Sequence, residues 1–214
     1  MVGQGVLREC LLDSNVQQIL SIVRTPSGQH HPKLRELAHT NFFDYSAIEP
    51  QLTGYDACFF SLGVSSAGMD EAKYTHLTYD LTLAAATTLA RLNPNMTFLY
   101  ISGAGTDSTE RGRIMWARVK GKTENALLKL PFRAAYMFRP GFIQPLHGIR
   151  SKTKLYQAFY TALTPLLPLL KSAFPKSITT TEELARAMLN VARNSYPKPI
   201  LEVPDIVRAA STAK

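Results

Sequence analysis

What most constrains this chain is an alternation. Short apolar runs of β character are followed by stretches with helical spacing, through four successive units. Val16 to Val23 (VQQILSIV), Ala57 to Leu62 (ACFFSL), Thr97 to Ser102 (TFLYIS) and Phe132 to Arg139 read as strands. Gly3 to Leu12 carries an apolar stripe of Val6, Leu7, Cys10 and Leu11 at helical spacing. Met69 to Leu92, rich in Ala and Leu, reads as a long helix ended by Asn93-Pro94, and Arg113 to Leu130 as another closed by Pro131. Leu34 to Phe43 holds a further short strand or strand plus turn. Parallel neighbours need a crossover, so this order predicts an α/β fold with a parallel sheet covered on both faces. The continuous apolar run that stops at Gly63 suits a central strand of such a sheet.

Beyond Arg139 the pattern changes. Lys154 to Ser172 is apolar and helical in spacing, divided by Pro165 and Pro168. Thr179-Thr180-Thr181-Glu182 resembles a helix start leading into Glu183 to Tyr196. Ile200 to Val203 reads as a last strand and Ile206 onward as a terminal helix or tail. The expectation is one domain over 1–214, with a small C-terminal helical elaboration over 146–196 on the substrate side.

Bulk properties exclude several classes. Apolar residues at 45% and charged residues at 19% fit a globular chain, not a disordered one. Two cysteines, Cys10 and Cys58, cannot supply a disulfide framework, which favours a reducing, cytoplasmic setting. Met1 to Cys10 lacks the apolar core of a signal peptide, and Ala158 to Leu170 is too short to span a bilayer. The balance of 24 basic against 16 acidic residues gives +8. These charges are scattered and no recognition motif accompanies them, so nucleic acid is not an expected partner. The densest region runs from Arg111 to Arg133 and reads as a solvated helix face or a field favouring an anionic ligand. The five histidines show no ligand spacing, so no metal is expected.

In doubly wound sheets ligands lie beyond the carboxyl ends of the strands. The polar and glycine-bearing segments fall at those ends: Arg24, Gly63-Val64-Ser65-Ser66, Ser102-Gly103-Ala104-Gly105 and Pro140-Gly141. They point to one shared crevice.

Taken in order, Gly3 before the first helix, Arg24, Phe43-Asp44, FFSLGVSS, FLYISGAGTD, the Trp116-to-Lys120 spacing and FRPGF resemble a known family. It is the atypical, epimerase-like branch of the short-chain dehydrogenase/reductase superfamily, and the likeness covers nearly the whole chain. The resemblance implies a Rossmann-like, three-layer, doubly wound sheet that binds NAD(P). Gly3 then matches the last glycine of a GxxGxxG phosphate loop. Arg24 takes the ribose position, where an arginine favours NADP over NAD. Asp44 falls near the adenine, and Leu62 and Gly63 pass beneath the adenosine ribose. Ser102 would bond the reacting carbonyl or hydroxyl, and Lys120 would hold the nicotinamide ribose. Pro140 and Gly141 would line the nicotinamide. Leu155 to Phe174 would form a lid over a small-molecule ligand of apolar character.

Two departures stand out. The first strand and the first two glycines of the loop are absent, so the VQQILSIV and ACFFSL strands must either pair directly or leave an unpaired edge. Unmet buried backbone groups cost about 1–3 kcal/mol each, which points to a shortened gene model, a misassigned start or an inactive remnant. The second departure is chemical. Family members carry a tyrosine four residues before the lysine, and here that position is Trp116. An indole N–H donates but does not titrate in a usable range, so it is no general acid. Water, Tyr100 or Tyr136 would have to supply the proton. Three readings follow: a weak oxidoreductase or epimerase, a catalytically silent dinucleotide-binding regulatory or interaction protein, or a truncated product unable to bind cofactor.

Overall fold

A computed structural model of the chain describes residues 1–149 and 177–211. The expected helix over Lys154 to Ser172 and the expected lid over Leu155 to Phe174 lie outside the described residues. Helix α1 (Val2–Leu12) leads into β1 (Ile19–Val23) and β2 (Leu34–Ala38), and a 3-10 turn (Ser46–Gln51) precedes β3 (Ala57–Phe60). Helices α2 (Glu71–Thr75) and α3 (Leu81–Leu92) are joined without a break by a π turn (His76–Asp80). Then come β4 (Thr97–Ile101), α4 (Met115–Leu127), β5 (Ala134–Arg139) and β6 (Phe142–Gln144). The last described elements are β7 (Ile178–Thr180), α5 (Thr181–Asn194), β8 (Ile200–Glu202) and α6 (Val203–Ser211).

All strand pairing among the described residues is parallel. β3, β4, β5 and β8 form a four-stranded sheet in that order, β1 pairs with β2, and β6 pairs with β7. Side chains alternate across the sheet, as the pleat requires. On one face Leu99, Tyr136, Phe138 and Leu201 pack with α1, α5 and α6. On the other Phe98, Tyr100 and Met137 pack with α3, the end of α4 and the 3-10 turn. The result is a three-layer, Rossmann-like α/β fold.

Local chemistry explains the element boundaries. Thr180 and Glu183 form a reciprocal capping box, Thr180 Oγ1 accepting from Glu183 N and Glu183 Oε2 from Thr180 N, both at 3.0 Å. Asn93 ends α3 and ties it to the loop before β3: its Oδ1 accepts from Gly54 N at 2.8 Å, and its Nδ2 donates to Leu52 O at 2.8 Å. Gly5 and Gly121 mark close approaches; a Cβ on Gly121 would lie 1.8 Å from the Asp107 carbonyl oxygen.

β1 and β3 do not pair. Of the two outcomes expected for these strands, direct pairing is not seen among the described residues. Yet both strands feed the same two core layers: Ile19 joins Ala57 and Phe59 on the α1 side, while Leu20 and Ile22 join Cys58 and Phe60 on the α3 side.

Among the described residues no helix is long and apolar enough to cross a membrane.

Candidate functional site

The parallel strands bring their carboxyl ends together. Ser102 N donates to Phe138 O at 2.9 Å and Ala104 N to Pro140 O at 2.8 Å, so the loops after β4 and β5 are held side by side. The start of α1 lies at the end of the neighbouring strand, where a Cβ on Gly3 would sit 3.4 Å from Ser61 Cβ. Leu62, Gly63 and Val64 are exposed there, and among the described residues no atom lies within 4 Å of a Cβ added to Gly63 or Gly103. Among the described residues this end of the sheet is a shelf with bare backbone.

Helix α4 presents two side chains four residues apart to that shelf. Lys120 Nζ donates to Ser102 O at 2.6 Å and lies 5.9 Å from the Tyr100 ring centre. Burial pulls the Lys120 ammonium down to about 8, against Glu124, which pulls it up. Trp116 lies over the Ser102-to-Gly105 loop, its Cη2 3.6 Å from where a Cβ on Gly105 would be. Gly105 holds φ +84°, a backbone conformation suited to glycine.

Ser102 faces inward. Its hydroxyl donates to Glu124 Oε1 at 2.5 Å and stands 3.2 Å from Phe138 O, so it is spent on the interior rather than offered to a substrate carbonyl. Glu124 is fully buried and also receives Arg139 Nε at 3.0 Å. Arg139 reaches on to Ser108 Oγ at 2.6 Å and to Glu202 at 3.2 Å. The sequence reading missed this network. Its one signal was Glu124, four residues beyond Lys120 on the same helix face.

The alternative proton sources are also engaged elsewhere. Tyr100 is 1% exposed, and burial pushes its phenol up. Tyr136 accepts from Tyr196 N at 3.0 Å, at the opposite end of β5. Gly141 has a packing role: a Cβ there would fall 2.3 Å from Ser177 O, whose oxygen accepts from Phe142 N at 2.9 Å. The close approach that needs glycine is thus to the β7 side of the chain. Asp44 accepts from Ser46 N at 2.9 Å and starts the 3-10 turn, with the pKa of its carboxyl lowered by that bond. Next to it Phe43 stacks on His76 of the π turn, rings 4.3 Å apart. Arg24 is exposed just past β1, with no bond to a described residue.

The expected basic face of α4 is mostly solvated. Arg111, Arg113, Lys122 and Lys129 are exposed, while Arg118 pairs with Glu71 at 2.6 Å. Cys10 is buried and Cys58 half-buried; both are free thiols, and burial pushes each up to about 12. No cluster of potential metal ligands occurs among the described residues. Two surface concavities, one lined by Gly54 to Asp56 and Leu92 to Met96 and one by Leu128, Phe132 to Tyr136 and Tyr196 to Pro199, lie at the opposite end of the strands. They are remote from Lys120.

No protein-family model and no curated protein matches the chain. Solved structures do. The Bordetella bronchiseptica enzyme WbmF in complex with NAD+ is 14% identical, with a TM-score of 0.61 over 97% of this chain and 73% of that one. An oxidoreductase of the short-chain dehydrogenase/reductase family from Burkholderia thailandensis is 12% identical, with a TM-score of 0.63 over 97% and 89%. DesIV, a dTDP-glucose 4,6-dehydratase from Streptomyces venezuelae with NAD and TYD bound, is 13% identical, with a TM-score of 0.63 over 98% and 75%. At these identities the likeness is one of architecture: the chain has a Rossmann-like fold similar to that of short-chain dehydrogenase/reductase and epimerase/dehydratase structures.

Proposed function

We propose that this chain is an atypical relative of the short-chain dehydrogenases whose carboxyl-end shelf binds a nicotinamide dinucleotide. The observation that carries the reading is Lys120, held by the Ser102 carbonyl where the ends of β4 and β5 meet. The residues present suit such a ligand. The α1 N-terminus with Gly3 offers backbone N–H groups to a phosphate, Gly63 and Gly103 leave room for close approach, and Lys120 stands where sugar hydroxyls would lie. When bound, the dinucleotide would supply hydride transfer to or from a small carbonyl or hydroxyl compound.

The chain's own contribution to chemistry is incomplete. Trp116 cannot relay a proton, and the Ser102 hydroxyl is committed to Glu124. Dinucleotide binding with slow or no turnover is the function this geometry supports best, in a regulatory or interaction role. Weak oxidoreductase or epimerase activity is the second reading, favoured by Lys120 being in place with a pKa near 8. Arg24, exposed after β1, favours NADP(H) through a 2′-phosphate; the solved neighbours whose cofactor is named hold NAD. Residues 146–196 are proposed as the substrate-side elaboration, and two free cysteines suit a cytoplasmic setting.

Trp116 is the single tryptophan of the chain, so it reports on its own site. Titration with NADPH and NADH is expected to quench its emission by energy transfer and to be reversed by excess oxidised cofactor. An unchanged emission up to millimolar cofactor, matched by no heat in calorimetry, would overturn the reading.

A further inference from the structure

One amine combines partial burial, a place at the carboxyl ends of the strands and the lack of a carboxylate partner among the described residues. Lys120 is half-buried, and its Nζ donates to the Ser102 carbonyl oxygen at 2.6 Å. The acid that acts on it, Glu124, is already claimed by Arg139 Nε at 3.0 Å and by the Ser102 hydroxyl at 2.5 Å. The Tyr100 ring lies 5.9 Å away, and burial keeps its phenol protonated, so it offers no negative charge either. One turn earlier on α4, Trp116 adds an indole to the same face. An ammonium in this setting is poorly solvated and poorly compensated, and burial pulls it down to about 8. A fraction is then free amine at neutral pH. By contrast Lys73, Lys122 and Lys129 are exposed, and Lys198 pairs with Asp205 at 2.7 Å. Desolvated lysines of the first kind are nucleophiles towards carbonyl carbon.

We propose that Lys120 is a covalent, imine-forming site for small aldehydes. The inference goes beyond dinucleotide binding and stands on the amine alone. The Nζ lone pair adds to the carbonyl carbon, and a proton passes to the carbonyl oxygen to give a carbinolamine. Loss of that oxygen as water leaves a protonated imine, so one aldehyde and one amine give one imine and one water. Protons exchange with solvent throughout, because the Trp116 indole does not titrate and the Ser102 hydroxyl is held by Glu124. The Ser102 carbonyl keeps one N–H bonded and so holds Nζ at the end of β4 during the attack. The surroundings set the substrate class. Trp116 and the exposed Leu62 and Val64, at the same end of the sheet, favour an apolar body. A half-buried amine favours an unhindered aldehyde over a ketone.

The test treats the purified chain with limiting benzaldehyde and sodium cyanoborohydride, which reduces an imine to a stable benzylamine. Peptide mapping by mass spectrometry resolves Lys120 from Lys73, Lys122, Lys129 and the Met1 amine. At about pH 7, Lys120 is expected to gain the benzyl group about tenfold or more faster than the three exposed lysines. That ratio should shrink as pH rises to about 10, where ordinary lysines also lose their protons. Lys120→Arg is expected to abolish the early label and keep the slow ones. Labelling of Lys120 at the rate of the exposed lysines, no label on it, or a ratio that does not fall with pH would each overturn the proposal. No cofactor enters the measurement, so it can fail while dinucleotide binding stands, and the reverse.

Discussion

Ser102 Oγ lies 2.5 Å from Glu124 Oε1, which ties the end of β4 to the buried face of α4. Arg139 of β5 grips the same carboxylate. One acid thus holds three elements together beneath the shelf. Removing one partner of a buried ion pair leaves the other charge uncompensated. Glu124→Ala should therefore cost about 3–5 kcal/mol in urea unfolding. A loss under about 1 kcal/mol, the range of exposed pairs, would contradict the buried network.

Lys120 makes stability depend on pH in a definite direction. Its folded pKa is lowered to about 8 from 10.5, so between those values the unfolded chain binds more protons than the folded one. The cost of burying the ammonium is then fully present below pH 8 and is relieved as pH rises towards 10.5. Thiols and phenols with raised folded pKa, such as Cys10 and Cys58, push the other way above about pH 9. The difference between wild type and Lys120→Met isolates the lysine. Wild type should gain relative to the variant from pH 8 to 10 in denaturant titrations, and a flat difference would refute the assignment.

Gly121 and Gly103 should respond oppositely to the same methyl group. A Cβ at Gly121 meets the Asp107 carbonyl oxygen at 1.8 Å, while one at Gly103 meets nothing within 4 Å. Gly121→Ala is expected to destabilise by about 3 kcal/mol or more through overpacking, with Gly103→Ala within about 0.5 kcal/mol of wild type. Thermal denaturation of the pair measures this.

Trp116→Tyr separates the two functional readings. With the phenol four residues before Lys120, NADPH oxidation against a panel of small aldehydes and ketones should rise by about 10²-fold or more if only the acid is missing. Unchanged turnover with intact cofactor binding would favour the silent binder.

Arg24 should govern cofactor choice if the 2′-phosphate lies beside β1. Arg24→Asp is expected to weaken NADPH binding about tenfold or more while leaving NADH unchanged or tighter. Fluorescence titration of both cofactors checks it, and equal losses for both would remove Arg24 from the site.

The periodic elements were legible in the sequence because burial on both faces leaves little choice of residue. ACFF and TFLYI became β3 and β4 with boundaries shifted by a residue or two, as frayed ends allow. The pairing of Phe142–Gln144 with Ile178–Thr180 was not legible: three-residue strands carry no period, and only Gly141 marks their approach. The π turn at His76–Asp80 was hidden for a similar reason, since one widened turn keeps the apolar stripe of Met69 to Leu92 almost intact. The placing of Trp116 and Lys120 four residues apart on one helix was legible from their spacing. The inward turn of Ser102 was not, because it depends on Glu124 and Arg139, which are distant in sequence from it and from each other.

Helix α1 closes against the far end of the polypeptide. Arg186 reaches Glu9 across 177 positions, and Arg193 reaches Asp13 across 180. During synthesis the first helix therefore emerges long before its dock, and Val6 and Cys10 must wait uncovered until α5 has left the ribosome. Such long-range closure slows folding. Any truncation before Asn194 would remove part of that dock and uncover Val6 and Cys10 together.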